Sequence, residues 1–197
     1  MKYNLMFRCI GAMLNGLTKN QVADSGVRKE ITKTYREIIL RAGDIGSKNR
    51  LLTSYGLAAY FIAMNRVDGL TPQENLDILE SNMRNSKCLK IFMGNSKHYF
   101  NEKNMASRRA WSRETHLKKY KNDWVVDVLE KTDDYEFGFD YLECGVCKLC
   151  WDEGCFELAQ YLCRLDFMLV ELIGIRLERT TTLAEGGEKC DIRFLRS

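Results

Sequence analysis

The stretch "YEFGFDYLECGVCKLC", Tyr135 to Cys150, changes its period in the middle, and that change decides the fold class. Tyr135, Phe137, Phe139 and Tyr141 alternate, which reads as one face of a β-strand. After Cys144 the alternation stops, and Val146, Leu149 and Trp151 follow a helical pattern. Just before it, "DWVVDVLEK" reads as a second strand, with "KTDD" as turn material between the two. Beyond it, two helical stretches, Cys144 to Glu153 and Cys155 to Ile173, are separated at Gly154. "IRLERTTTLAEGG" and "CDIRFLR" then close the chain as two further strands flanking the "GG" turn.

Upstream, the pattern is helical from Gln21 to Gly94. Ile31, Tyr35, Ile38, Ile39 and Leu40 recur near a 3.6 period, followed by Leu51, Leu52, Tyr55, Leu57, Ala58, Phe61 and Ile62. Gly69 ends that run, and "LTPQENLDILE" starts the next. Thr71 is its expected N-cap, Pro72 its first helical residue and Glu74 the third residue past the cap. Pro72 is the only proline in the chain and sits where its missing N–H costs least. Helices first, then a small antiparallel sheet carrying inserted helices, predict an α+β fold. A chain of 197 residues buries one proper core. A single domain over residues 1–197 is therefore expected, with a helical half at 1–94, a basic connector at 95–122 and a sheet-plus-helix half at 123–197.

Composition narrows the function classes. Hydrophobic content of 45% and charged content of 29% are ordinary for a globular chain, and a net charge of +3 gives no reason to expect nucleic acid as a partner. Asn4, Arg8 and Asn15 interrupt the opening "MKYNLMFRCIGAMLNGL" before any signal-peptide core could form. No later segment is apolar enough to span a membrane. The expectation is a cytoplasmic protein whose cysteines stay reduced, with a small-molecule substrate, no nucleic acid and no membrane as partners. An apolar face on the first helices leaves a homodimer open.

The connector "KHYFNEKNMASRRAWSRETHLKKYKN" interleaves basic and aromatic residues. That mixture fits a platform for single-stranded nucleic acid, or a solvated helix with Trp111 and Leu117 facing inward. The small net charge favours the helix. His98 and His116 fall here as surface residues, without metal-binding spacing.

Cys144, Cys147, Cys150 and Cys155 read CxxCxxCxxxxC, close to the CxxCxxCxxxCP run of bacterial ferredoxins but one residue too long and without the proline. On a helix, Cys144 and Cys150 point about 120° apart, which is poor geometry for one metal. Zinc on some of these thiols and plain small hydrophobes both stay open, and Cys9 and Cys88 carry no signal. No cofactor and no metal is expected.

Three segments carry a resemblance. "YEFGFDYLECGVCKLC", "GCFELAQYLCRLDFMLVE" and "LERTTTLAEGGEKCDIRF" resemble the linked motifs of the L-2-amino-thiazoline-4-carboxylic acid hydrolase family, and "NRLLTSYGLAAYFIAMNRVDGLTPQENLDIL" is similar to its amino-terminal part. The resemblance implies hydrolytic opening of a cyclic isothiourea at the carbon between nitrogen and sulfur, giving N-carbamoyl-cysteine. It also implies distant kinship with vinyl-reductase-type domains, so a non-catalytic small-molecule-binding domain is the alternative. Zinc-bearing sensors of that type place a ligand Cys eight positions before their terminal one, where this chain has Thr182.

Residues carried over on the resemblance are Cys144, Cys163, Asp166, Cys190 and Asp191. Opening an amidine-like ring needs a nucleophile, a group that holds the ring nitrogens protonated and an anchor for the substrate carboxylate. Cys163 and Asp166, three apart on a helix, share one face. Asp166 is the expected partner of the amidinium, with Cys163, or a water held by it, attacking. Cys144, at a strand-to-helix junction where a helix dipole favours a thiolate, is the rival nucleophile. Arg179 and Arg193, read as lying on the last two strands, are candidate carboxylate anchors, with ordinary ion pairs as the alternative. Cys190 and Asp191 either contact substrate or fix the turn after Gly186 and Gly187.

Overall fold

The computed structural model describes residues 5–46 and 49–196. The side chains of Cys88, Phe92 and His98 lie outside the described part, and with them the surface reading of His98. In chain order the elements are α1 (Leu5–Thr18), α2 (Ser25–Arg41), α3 (Leu52–Val67), α4 (Pro72–Asn85), α5 (Lys87–Met93), α6 (Ser96–Tyr99) and α7 (Glu102–Thr115). Strands β1 (Val125–Leu129) and β2 (Phe137–Glu143) follow, then α8 (Gly145–Asp152), a 3₁₀ turn at Phe156–Leu158 and α9 (Ala159–Glu171). Strand β3 (Ile175–Glu178), a 3₁₀ turn at Leu183–Glu185 and strand β4 (Cys190–Arg196) complete the chain. The fold is α+β, with one four-stranded antiparallel sheet. Among the described residues no helix is long and apolar enough to cross a membrane.

Two compact units emerge. The first comprises residues 1–85, 120–122 and 145–162. Its centre is α3, whose residues from Tyr55 to Met64 are all buried because α1, α2, α4 and α8 pack around it. Phe61 and Ile62 have no exposed surface, and each such side chain contributes about 1.5–3 kcal/mol. Two of the polar contacts inside tie helices together: the Tyr35 hydroxyl donates to the Phe7 carbonyl at 2.8 Å, and Thr18 Oγ1 lies 3.0 Å from the Tyr60 hydroxyl. Helix α4 starts as expected. The Glu74 N–H donates to Thr71 Oγ1 at 3.3 Å and the Thr71 N–H to Glu74 Oε2 at 2.8 Å, a reciprocal cap. Helix α1 has Phe7, Ile10 and Leu14 buried at helical spacing.

The second unit comprises residues 86–119, 123–144 and 163–197. Its strand order is β1-β2-β4-β3. Helix α7 packs on β1, with Ser112 Oγ donating to the Val126 carbonyl at 2.7 Å and the Val126 N–H to Thr115 Oγ1 at 3.1 Å. One face of β2 and β4 carries an aromatic stack: Phe137 lies 4.6 Å from Phe194, and Phe139 lies 5.6 Å from Tyr141. Trp111 reaches Phe139 at 6.0 Å, as its inward reading requires. Leu117 does not follow it. The helix ends at Thr115, so Leu117 loses the helical phase and is 59% exposed. The buried positions are instead Met105, Arg108, Ser112 and Thr115. Many basic residues of this region are spent on ion pairs, such as Arg109 with Glu102 and Glu130.

Candidate active site

Directly opposed residues of an antiparallel pair point to the same side of the sheet. The register pairs Tyr141 with Cys190, Phe139 with Ile192 and Phe137 with Phe194, so Cys190 shares the face of the aromatic stack. Helix α9 supplies Cys163 and Asp166 one turn apart. Arg179 joins them: Nη1 donates to Asp166 Oδ2 at 3.1 Å and Nη2 to the Cys163 carbonyl at 3.2 Å. The guanidinium also lies over the Phe167 ring at 4.9 Å and is almost wholly buried. Arg179 is the first residue after β3 rather than part of the strand, because β3 ends at Glu178.

The electrostatics tie the remaining members to this pair. Burial pushes the Asp166 carboxyl up to about 6, against the charge and hydrogen bond of Arg179. The group is crowded but not sealed, since 44% of its side-chain surface stays open to solvent. Burial raises the Cys163 thiol far above its usual range, with Asp166, Cys144 and Cys190 adding to the effect and Arg179 opposing it. Cys190 is pushed up to about 11 by burial, although the Leu183 N–H donates to its Sγ at 3.2 Å and works the other way. The Tyr141 phenol is raised strongly by burial, then by Asp166, Tyr99, Cys144 and Cys190. Cys144, Cys163, Cys190, Asp166, Arg179 and Tyr141 are therefore one interacting cluster in the second unit. Those shifts leave Cys163, Cys190 and Tyr141 as neutral hydrogen-bonding groups at neutral pH, with Asp166 mostly a carboxylate.

Two sequence candidates lie elsewhere. Asp191 and Arg193 pair with Asp140 and Gly138, which puts them on the sheet face opposite Cys190. Asp191 accepts from the N–H groups of Thr180 and Thr181 at 2.9 and 2.8 Å and from the Thr180 hydroxyl. Burial works against its charge, but the Thr180 hydroxyl and those N–H groups hold its pKa below the usual value. Asp191 thus fixes the segment that begins at Arg179. Arg193 pairs with Asp140 at 2.9 Å, beside Lys189, and lies across Gly138, where a Cβ would come within 2.9 Å of its Cδ. It also stacks over Tyr135 at 5.4 Å. Tyr135, which precedes β2, is therefore on the Arg193 side and does not extend the Phe137 face.

Thr182 is buried and caps the 3₁₀ turn, with Glu185 N–H donating to its Oγ1 at 3.1 Å. The position where a zinc-bearing sensor has a ligand thus serves a cap. Cys147, Cys150 and Cys155 belong to the first unit and are buried. Among the described residues no three His, Cys, Asp or Glu side chains stand in a metal-holding group. Tyr141 was overlooked as a site residue. Its signal was a hydroxyl in an alternation otherwise made of Phe, since a buried phenol needs a polar neighbour.

Fold and cluster together define an α+β protein with a carboxylate–guanidinium pair set among thiols and a phenol. A family profile for L-2-amino-thiazoline-4-carboxylic acid hydrolase matches residues 49–194, and the chain belongs to that family. Neither curated proteins nor solved structures give a match.

Proposed function

We propose that this protein is a hydrolase that opens a small cyclic isothiourea or amidine-like substrate, such as 2-amino-thiazoline-4-carboxylate, at the carbon between nitrogen and sulfur. Water adds to that carbon, the ring C–S bond breaks, the sulfur leaves as a thiol, and both nitrogens stay in the urea of N-carbamoyl-cysteine. The observation that carries the reading is the Asp166–Arg179 pair, half open to solvent on its acidic side.

Such a substrate is a zwitterion, an amidinium at one end and a carboxylate at the other. It matches the dipole of the pair head to tail. Arg179 engages Asp166 Oδ2, and Oδ1 accepts no hydrogen bond among the described residues, so it is the acceptor for the amidinium N–H. Keeping that nitrogen protonated keeps the central carbon electrophilic. Cys163, held neutral, suits a role in holding the attacking water better than one as a ready thiolate. Cys144 remains the rival as a direct nucleophile. Cys190 and Tyr141 line the same place, and Asp191 holds the Arg179 segment rather than substrate. A purely ligand-binding domain would favour an apolar lining, which an ion pair and neutral thiols do not provide.

The test is incubation of the purified protein with 2-amino-thiazoline-4-carboxylate while new free thiol is measured and the product is weighed by mass spectrometry. Enzyme-dependent thiol with the mass of substrate plus one water is the expected result. Thiol release no faster than in buffer would remove this substrate.

A further inference from the structure

The end of α8 brings two cysteines together by backbone geometry. The Gly154 N–H donates to the Trp151 carbonyl at 3.0 Å, and the Cys155 N–H to the Cys150 carbonyl at 2.9 Å. Gly154 has φ 67°, the left-handed conformation that a Schellman helix stop requires. In that motif the second residue past the helix folds its side chain back on the one a turn inside, usually as an apolar contact. Here both are cysteine, so the motif folds the Cys155 side chain back toward Cys150. Cys150 has no exposed surface, whereas Cys155 keeps 9%.

We propose that Cys150 and Cys155 form a dithiol site that reacts with a hydroperoxide to close a disulfide. The Cys155 sulfur attacks the outer peroxide oxygen, the O–O bond breaks, and the leaving oxygen takes a proton to become water or an alcohol. Cys155 is then a sulfenic acid. The Cys150 sulfur attacks it, the S–O bond breaks, and the hydroxide leaves with the Cys150 proton as water. Two thiols lose two electrons and two hydrogens, and the peroxide is reduced by the same amount. Exposure assigns the order, with Cys155 meeting the oxidant and Cys150 resolving from beneath. The Cys150 hydrogen bond lowers the Cys155 pKa; burial opposes it, and the Arg66 charge assists. Arg66 is fixed there by Glu153, at 2.6 Å. The site lies in the first unit and is independent of the proposed hydrolase reaction.

The experiment treats the folded protein with dilute hydrogen peroxide, then denatures it in iodoacetamide and digests it with trypsin and a glutamyl endopeptidase. Cleavage after Lys148, Glu153 and Glu157 separates "LCWDE" from "GCFE". The expected product is these two fragments joined, two hydrogens lighter than their sum. Two separate alkylated fragments would overturn the proposal, and so would Cys155 as sulfinic acid with Cys150 still alkylated. A Cys150→Ser variant should leave Cys155 as a sulfenic acid that dimedone labels; no label there would contradict the assigned order.

Discussion

The molecule holds two sets of cysteines that differ in how they come together. Cys147, Cys150 and Cys155 are crowded in the sequence and end in a helical unit where burial and a helix stop account for them. Cys144, Cys163 and Cys190 are scattered, yet strand register and one helical turn gather them around Asp166 and Arg179. Density in the sequence drew attention to the first set. The chemistry of a small polar substrate points to the second, because there a thiol shares its surroundings with a solvent-open carboxylate paired to a buried guanidinium.

The largest effect that bears on this contrast is at Asp166. Asp166→Asn removes the acceptor for the amidinium and should lower turnover about 10²–10⁴-fold, the usual range for a positioned acid–base group. Far-UV circular dichroism should be unchanged, and thiol release from 2-amino-thiazoline-4-carboxylate is the readout. Activity within a factor of two of the parent would dissolve the difference between the two sets.

Next comes a paired test. Cys163→Ser should cut kcat at least about tenfold through misplacement of the attacking water. Cys150→Ser should leave kcat close to the parent value, since that thiol belongs to the helix stop. Equal losses in both variants would mean that the scattered set has no special standing.

Smaller effects fall on stability alone. Leu149→Ala, at a fully buried position of α8, should cost about 2–5 kcal/mol in urea unfolding while activity per folded molecule holds. Thr71→Ala should cost about 1 kcal/mol by removing the α4 cap, again without touching kcat. A fall in kcat in either folded variant would show that the first unit takes part in the chemistry.

Much of this was legible in the residues. The Thr71-Pro72-Glu74 signal marked the start of α4, and the alternation through Phe137, Phe139 and Tyr141 marked β2, because both depend on local geometry alone. The same alternation rule, applied by parity along β4, puts Cys190, Ile192 and Phe194 on one side and Asp191 and Arg193 on the other. That parity separates Arg193, a candidate substrate anchor, from the Cys190 face. Leu117 failed because a helix end at Thr115 has no glycine or proline to announce it. The contact of Arg179 with Asp166 joins residues 13 apart through a turn and could not come from spacing.

The pH dependence joins these points and gives two opposite signs. Asp166 has a folded pKa of about 6, above the ordinary 3.8, so the folded state binds that proton more tightly than the unfolded chain. Its contribution to stability is therefore present below 3.8 and is lost as pH rises through 6. Activity should run the other way, since only the carboxylate accepts the amidinium. The decisive measurement is the pH profile of kcat/KM for thiol release, which reports groups of the free enzyme. An acidic limb with a midpoint near 6 is the predicted result. A profile flat from pH 5 to about 8 would contradict the role given to Asp166.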